Sequence, residues 1–241
     1  MYITNSQGIK IAYQKILGKS PGIIFFGGFM SDMTGTKATY LESVCQRLGQ
    51  AYVRFDYSGH GASSGKFEEG TIGSWLEDAL CILDNLTEGP QIVVGSSMGG
   101  WLMMLAALKR PDRIQALVGI ASAPDFVEDL GRMQAVQQEA LIEKGICYLP
   151  SLSGDMVYPI TARLITEGKT HSLLKAPIPI FCPVHLLHGL SDKDVPWQKS
   201  VKLAERLQSS NVTVTLIKDG DHRLSESDHL TLIEKSLCSL L

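Results

Sequence analysis

Concentrated positive charge and long apolar runs are both missing from this chain. Lys and Arg number 22 against 25 Asp and Glu, a formal net charge of −3, and no basic run is present. Because phosphate backbones are bound by concentrated Lys and Arg, we expect no nucleic-acid partner. The longest apolar runs, Ile23–Met30 and Trp101–Leu108, are far shorter than the roughly 20 residues that a spanning helix needs. We therefore expect no segment that spans a membrane.

Cysteine pairing signals and a secretory leader are also missing. The five cysteines are an odd number, lie far apart and include no C-x-x-C pair. This pattern predicts reduced thiols in a cytosol-like compartment and excludes a disulfide framework or a cysteine-bound metal. Residues 1–8 carry neither the positive nor the apolar region of a signal peptide, so we expect a protein that is not secreted.

Short apolar segments alternate with helical patterns along most of the chain. The apolar segments are bounded by Gly, Pro or Asp, which is typical of parallel strands that helices cover on both faces. This order predicts one α/β domain over residues 1–241, with a mostly parallel, doubly wound sheet and helices on both faces. The predicted strands lie at 9–14, 22–26, 51–55, 91–95, 114–120, 184–188 and 212–217, and the predicted helices at 37–48, 71–86, 98–109, 198–208 and 226–240.

One segment interrupts this alternation. Between the strands predicted at 114–120 and 184–188, no further strand is evident, and helical patterns occur at 126–144 and 160–166. Long excursions inside a compact fold are usually functional. We predict a short helical lid at about 125–182 over the carboxyl ends of the strands.

The most informative motif is G-x-S-x-G at Gly95–Gly99, between a predicted strand and a predicted helix. A turn sharp enough to expose a serine hydroxyl there leaves no room for side chains two residues to either side. The two glycines leave that room around Ser97, whereas Ser96 has Val94 and Met98 at those positions. The motif therefore predicts Ser97 as the nucleophile of a hydrolase.

A serine nucleophile needs a histidine base, and the base needs an orienting carboxylate. When the serine lies at a strand-to-helix turn of this kind, the acid and the histidine both come later in the chain, and the acid comes first. Of six histidines, only His222 lies in a loop directly after the last predicted strand, at the edge where α/β sheets place their chemistry. Asp192, after the strand at 184–188, is the preferred acid. Asp194, expected to cap the next helix, and Asp125, after the preceding strand, remain alternatives.

The oxyanion formed by an attacked acyl group needs backbone N–H donors. Met98, directly after the nucleophile, is one expected donor. Phe29 is the other, because the glycines at Gly27–Gly28 let the backbone approach closely. Nearby apolar side chains are candidates for an acyl pocket, although core packing is the favoured explanation for each of them. These candidates are Phe29, Met30, Met33, Trp101, Phe126 and Met133.

A second glycine-rich loop, Arg54–Gly65, does not match a nucleotide-binding motif. It contains no G-x-G-x-x-G that opens a helix with an acidic residue further on. We therefore expect no cofactor, and we expect Asp56 to hold a tight turn near the site.

Together these motifs resemble the α/β-hydrolase superfamily. The superfamily often has His-Gly before the oxyanion donor, where this chain has Gly27–Gly28. A narrower resemblance, carried by G-T-K-A at 35–38, G-S-S-M-G-G-W at 95–101 and D-H-R at 221–223, is to the mitochondrial abhydrolase-domain protein ten family. That family is described as palmitoyl-protein thioesterases and acyl-glucuronide esterases. The resemblance implies a triad of Ser97, Asp192 and His222.

The implied substrates are small-molecule or acylated-protein esters and thioesters, including long-chain S-acyl groups and acyl glucuronides. A lidded peptidase or another carboxylesterase on the same triad is the alternative enzyme. A non-catalytic binding module is the alternative from another class, but such modules typically lose a triad residue and this chain keeps all three. Because no Arg-rich presequence is evident, we expect a bacterial cytoplasmic protein or a processed form in an organelle matrix.

Overall fold

In the computed structural model, which describes residues 1–129, 133–153 and 156–241, ten strands form one eight-stranded sheet and one separate hairpin. The strands in chain order are β1 (Tyr2–Thr4), β2 (Lys10–Ile16), β3 (Lys19–Phe26), β4 (Gln50–Phe55), β5 (Gln91–Ser96), β6 (Ile114–Ile120), β7 (Ile146–Pro150), β8 (Val157–Thr161), β9 (Val184–Gly189) and β10 (Val212–Ile217).

The large sheet has the order β1-β2-β4-β3-β5-β6-β9-β10. The pairs β1–β2 and β2–β4 are antiparallel, and all other neighbours in this sheet are parallel. Strand β5, which leads to the G-x-S-x-G motif, is buried along its whole length. A strand in the middle of a parallel sheet is covered on both faces, and this explains the continuous apolar segments of the sequence. The predicted fold class is confirmed.

Helices lie on both faces of the sheet and enclose two hydrophobic cores. One core contains Trp75, Leu102 and Leu203, and the other contains Leu41 and Ile233. Among the described residues, no helix is long and apolar enough to cross a membrane. The helices are α1 (Thr36–Leu48), α2 (Ile72–Leu86), α3 (Met98–Lys109), α4 (Ala135–Lys144), α5 (Ala162–Gly168), α6 (Gln198–Arg206) and α7 (Ser227–Cys238).

The segment between β6 and β9, here called the insertion, differs from the prediction. It was expected to be helical, but it contains the antiparallel hairpin β7–β8. Cys147 and Leu149 of β7 face inward while Tyr148 is exposed, an alternation with period two that is typical of a strand. The strand was missed because prolines at both strands, Pro150 and Pro159, favour irregular structure.

The helices predicted in the insertion also differ. In place of one helix over 126–144, a 3-10 turn at Phe126–Glu128 is followed by α4, which begins at Ala135; residues 130–132 of that prediction lie outside the described residues. The helix predicted at 160–166 is α5, which begins later because Thr161 still pairs in β8. The Thr161 hydroxyl then accepts a hydrogen bond from the Leu164 N–H at 3.0 Å and caps α5.

Candidate active site

Ser97 lies alone between the end of β5 and the start of α3, in a strained turn. Its φ is 54° and its ψ is −117°, a conformation that non-glycine residues rarely adopt. A Cβ on Gly95 would lie 2.4 Å from the carbonyl oxygen of Gly99, and a Cβ on Gly99 would lie 2.1 Å from that of Phe26. The glycines therefore let the turn close on itself and let α3 pack against the end of β3.

We expect Gly99→Ala to destabilise the fold by about 3 kcal/mol or more, because the new methyl group meets backbone and not a flexible side chain. Gly35→Ala is the matched control, since its Cβ would lie 3.4 Å from the nearest atom, the carbonyl oxygen of Asp32. Urea denaturation gives the free energy of unfolding of both variants. Equal, small losses for the two would contradict this account of the turn.

The three residues predicted as a triad lie within hydrogen-bond distance of one another. Ser97 Oγ is 3.1 Å from His222 Nε2, and His222 Nδ1 is 2.7 Å from Asp192 Oδ2. Ser97 follows β5, Asp192 follows β9 and His222 follows β10, so the carboxyl ends of three parallel strands bring them together. In this arrangement Nδ1 donates to the carboxylate and Nε2 accepts from the serine hydroxyl, as a nucleophile and its base require.

The Asp192 carboxyl is completely buried. Burial by itself would raise its pKa, but hydrogen bonds from His188 and His222 and the charge of His222 hold the pKa well below its usual range. Asp192 is therefore ionised, and its charge is available to orient His222.

The two alternative acids have other partners. Asp194 Oδ1 accepts a hydrogen bond from the Leu152 N–H in the insertion at 2.7 Å. The prediction that Asp194 caps the next helix is wrong, because α6 begins after Trp197 and has no side-chain cap. The Asp125 carboxylate accepts from the backbone N–H groups of Leu173 and Leu174 at 2.8 Å each, which holds the end of the insertion.

The loop that carries Phe29 passes beside Ser97. A Cβ on Gly28 would lie 3.4 Å from Ser97 Cβ. The carbonyl of Gly28 accepts from the N–H and hydroxyl of Ser31, and in a trans peptide the N–H of Phe29 points the opposite way. In the part of the chain that the structure describes, neither Phe29 N–H nor Met98 N–H donates to a protein acceptor. Both N–H groups are thus without a protein acceptor among the described residues, as the predicted oxyanion donors would have to be.

His60 supports this loop, although its place before the serine in the chain does not fit the order expected of a base. The Met30 N–H donates to His60 Nε2 at 3.3 Å, and His60 Nδ1 donates to the Ser58 carbonyl at 3.2 Å. Burial lowers the pKa of His60 to about 4, so the ring is neutral at pH 7 and Nε2 can accept. Asp56, which was expected to hold a tight turn, accepts from the N–H groups of Met33 at 2.6 Å and Ala62 at 2.8 Å and so links the two loops.

Two cavities meet at Ser97. The first, here called the apolar cavity, has a volume of about 250 Å³ and is lined chiefly by apolar side chains of the insertion and of the Phe29 loop. The second, here called the polar cavity because Asp32, Lys37 and Arg223 line it beside apolar residues, has a volume of about 220 Å³ and also contacts His222. The residues that line the apolar cavity include Phe29, Phe126, Leu149, Leu152, Tyr158 and Ile160, together with the charged residues Asp129, Lys193, Asp194 and Lys199. Those that line the polar cavity include Met30, Asp32, Thr36, Lys37 and Arg223.

Three of the candidates for the acyl pocket, Met30, Trp101 and Phe126, lie in different places. Phe126 lines the apolar cavity and Met30 lines the polar cavity. Trp101 lines neither of them, because its side chain is completely buried and its Nε1 donates to the His171 carbonyl at 3.1 Å. It packs edge-on against Phe126 with ring centres 5.6 Å apart. Trp101 therefore supports the cavity wall from behind and does not form its surface.

Comparison with known proteins assigns the family. A family profile described as alpha/beta hydrolase fold matches residues 23–141. The bovine protein named palmitoyl-protein thioesterase ABHD10, mitochondrial, is 47% identical over 233 residues, which are 96% of this chain and 76% of that protein. The chain belongs to the α/β-hydrolase family.

Solved structures agree with this assignment. The mouse alpha/beta hydrolase domain-containing protein 10 is 44% identical and matches this α/β-hydrolase with a TM-score of 0.94, over 100% of this chain and 97% of that one. A hydrolase of Agrobacterium vitis is 37% identical, with a TM-score of 0.95 over 100% and 97%. The resemblance seen in the sequence is confirmed.

Proposed function

We propose that this α/β-hydrolase cleaves carboxylic esters or thioesters through an acyl-enzyme, with Ser97 as nucleophile, His222 as general base and Asp192 as orienting acid. The hydrogen bonds at 3.1 Å and 2.7 Å that join these side chains carry the proposal. The names of the relatives, which are palmitoyl-protein thioesterases, support thioester cleavage.

In this mechanism Ser97 Oγ attacks the acyl carbon while His222 Nε2 takes the hydroxyl proton. The ionised Asp192 stabilises the resulting imidazolium. The N–H groups of Phe29 and Met98 donate to the oxyanion of the tetrahedral intermediate. His222 then protonates the leaving alcohol or thiol, and a water molecule activated by the same histidine releases the acid.

The two cavities suggest how a substrate lies. The acyl chain would occupy the apolar cavity, where Phe126, Leu149 and Ile160 surround it, and the alcohol or thiol group would occupy the polar cavity beside His222. Burial of each methylene group contributes about 0.8 kcal/mol. Because the insertion supplies much of the apolar wall, we propose that this segment, at about 125–182, acts as a lid.

We propose long-chain S-acyl groups, such as palmitoyl on proteins, and acyl glucuronides as substrates, from the relatives' names and from the family resemblance. For the location we propose an organelle matrix, since the curated relatives are mitochondrial. A bacterial cytoplasm is the alternative, since a bacterial relative is 37% identical.

We expect kcat/KM for p-nitrophenyl esters to rise with acyl length, by up to about fourfold per methylene group while the chain still enters the cavity. The same panel contains acyl thioesters, an acyl glucuronide and an aminoacyl-naphthylamide. Turnover of the esters and thioesters is expected, and preferential cleavage of the aminoacyl-naphthylamide would favour the peptidase alternative.

Leu152→Asp tests where the chain lies. Leu152 is 54% exposed and lines the apolar cavity, whereas Val157, on the same hairpin, is 55% exposed and does not line it. A carboxylate at position 152 should reduce kcat/KM for long-chain esters by about tenfold and leave the acetate ester unchanged, because a buried chain end beside a charge is unfavourable. Val157→Asp is the matched control. The assignment of the apolar cavity fails if the two variants behave alike.

A further inference from the structure

A second histidine contacts the carboxylate of the proposed acid. His188, on β9, is completely buried and lies four residues before Asp192. Its Nε2 is 3.0 Å from Asp192 Oδ2 and 3.0 Å from the carbonyl oxygen of Val195, and its Nδ1 is 2.7 Å from the hydroxyl of Ser200 on α6. Both oxygens that face Nε2 are acceptors, so this nitrogen carries the hydrogen.

The Asp192 carboxylate is held on both oxygens. Oδ2 accepts from His188 Nε2 at 3.0 Å and from His222 Nδ1 at 2.7 Å. Oδ1 accepts from the backbone N–H groups of Asp194 at 2.9 Å and of Val195 at 2.8 Å. Rotation of the carboxylate would break several of these bonds at once, so its orientation toward His222 depends on the donors behind it.

Packing alone does not explain a histidine at position 188. Its neighbours in β9, Leu186 and Leu187, are buried and apolar, and a polar ring in such a strand is unfavourable unless it is hydrogen-bonded. His185, on the same strand, also bonds to a serine of a covering helix, with Nδ1 3.1 Å from Ser236 Oγ. His185 therefore makes the same kind of strand-to-helix hydrogen bond as His188, but it makes no hydrogen bond to the Asp192 carboxylate.

We propose that His188 is a positioning residue, which holds Asp192 Oδ2 toward His222 and thereby keeps His222 Nε2 directed at Ser97. This inference rests on the proposed role of Asp192 as the triad acid. The two histidines that contact the carboxylate then have different roles. His222 takes and returns the proton during the reaction, and His188 fixes the orientation of the carboxylate that accepts from His222.

The test compares His188→Met, His188→Gln and His188→Asn with the control His185→Met. His188→Met removes the donor at similar size, and we expect kcat for a p-nitrophenyl ester to fall about 10- to 100-fold with KM nearly unchanged, as for loss of a hydrogen bond to a charged group. The acid limb of the pH profile of kcat/KM should move to lower pH, because a carboxylate that turns away from His222 Nδ1 stabilises the imidazolium less. A merely structural role would not move this profile.

Conservative replacements separate positioning from packing. Glutamine places an amide N–H near the position of Nε2 and should recover most of kcat, whereas asparagine reaches Ser200 but is too short for Asp192 and should remain slow. His185→Met should retain wild-type kcat and pH profile. Should His188→Met fail to fold, the glutamine and asparagine variants give the answer by themselves.

Wild-type kcat and pH profile in His188→Met, or in His188→Asn if the methionine variant does not fold, would overturn the proposal, as would equal activities of the folded glutamine and asparagine variants. A loss confined to KM would overturn it too. Full activity of Asp192→Asn would instead show that the proposed triad acid is wrong, so the two failures are distinguishable.

Discussion

Ser97→Ala is expected to lower kcat by about 10⁴- to 10⁶-fold and to abolish covalent labelling by a fluorophosphonate. The reason is that the hydroxyl at 3.1 Å from His222 Nε2 is the proposed nucleophile, and without it only substrate binding and the oxyanion donors remain. The effect should fall on kcat, with little change in KM. Labelling is followed by intact mass and peptide mapping, and turnover by a p-nitrophenyl ester.

Ser96→Ala is the control for this result, because it removes the other serine of the motif while the label should still attach at position 97. Thermal unfolding of both variants shows whether the fold is retained. Equal labelling of Ser97→Ala and the wild type would refute the assignment of the nucleophile. Labelling of neither protein would favour the binding-module alternative.

Asp192→Asn is expected to lower kcat by about 10⁴-fold, because an amide facing His222 Nδ1 favours the wrong tautomer of the imidazole. Asp194→Asn is the matched control: the asparagine oxygen can still accept from the Leu152 N–H, so the contact with the hairpin persists. We expect near wild-type activity for Asp194→Asn. A reversed outcome, with Asp194→Asn inactive and Asp192→Asn active, would move the acid to position 194.

The ionisation of Asp192 also affects how the stability and the activity of the protein depend on pH. Burial alone would raise its pKa, but the hydrogen bonds from His188 and His222 lower it below that of an unfolded Asp, about 3.9. A carboxyl group whose pKa is lower in the folded than in the unfolded state stabilises the fold at pH values above the unfolded pKa. This contribution is lost as the pH falls through the folded-state pKa. The carboxylate therefore stays charged at mildly acidic pH, and loss of activity there does not report its protonation.

The local pattern of residues predicted the nucleophile turn and the order of the elements. Strand, G-x-S-x-G and helix are consecutive in the chain, so Ser97 and its two glycines are defined by a few neighbouring positions. The choice between Asp192 and Asp194 was only a preference, because two aspartates in one loop have nearly the same sequence context. The directions of their side chains separate the two aspartates. Asp192 Oδ2 lies 2.7 Å from His222 Nδ1, whereas Asp194 Oδ1 lies 2.7 Å from the backbone nitrogen of Leu152.

Other features depend on contacts between distant segments, which local sequence patterns do not specify. Trp101 was a candidate for substrate contact because it is large, apolar and four residues after Ser97, but it is buried behind Phe126. His60 reaches Met30 across two loops, and His188 reaches the carboxylate of Asp192 from within a strand. A signal for His188 was present, a polar ring in an otherwise apolar strand, but a core histidine with satisfied hydrogen bonds has the same pattern.

By itself the sequence determined the α/β class, the turn at Ser97 and the loops that carry the proposed acid and base, because periodicity and turn chemistry act over a few residues. Only the tertiary structure decided which aspartate faces His222, that the insertion carries a hairpin, and which apolar side chains line a cavity and which support its wall. Those outcomes depend on the directions of side chains and on the packing of segments that are far apart in the chain. A pattern of neighbouring residues does not specify either of them.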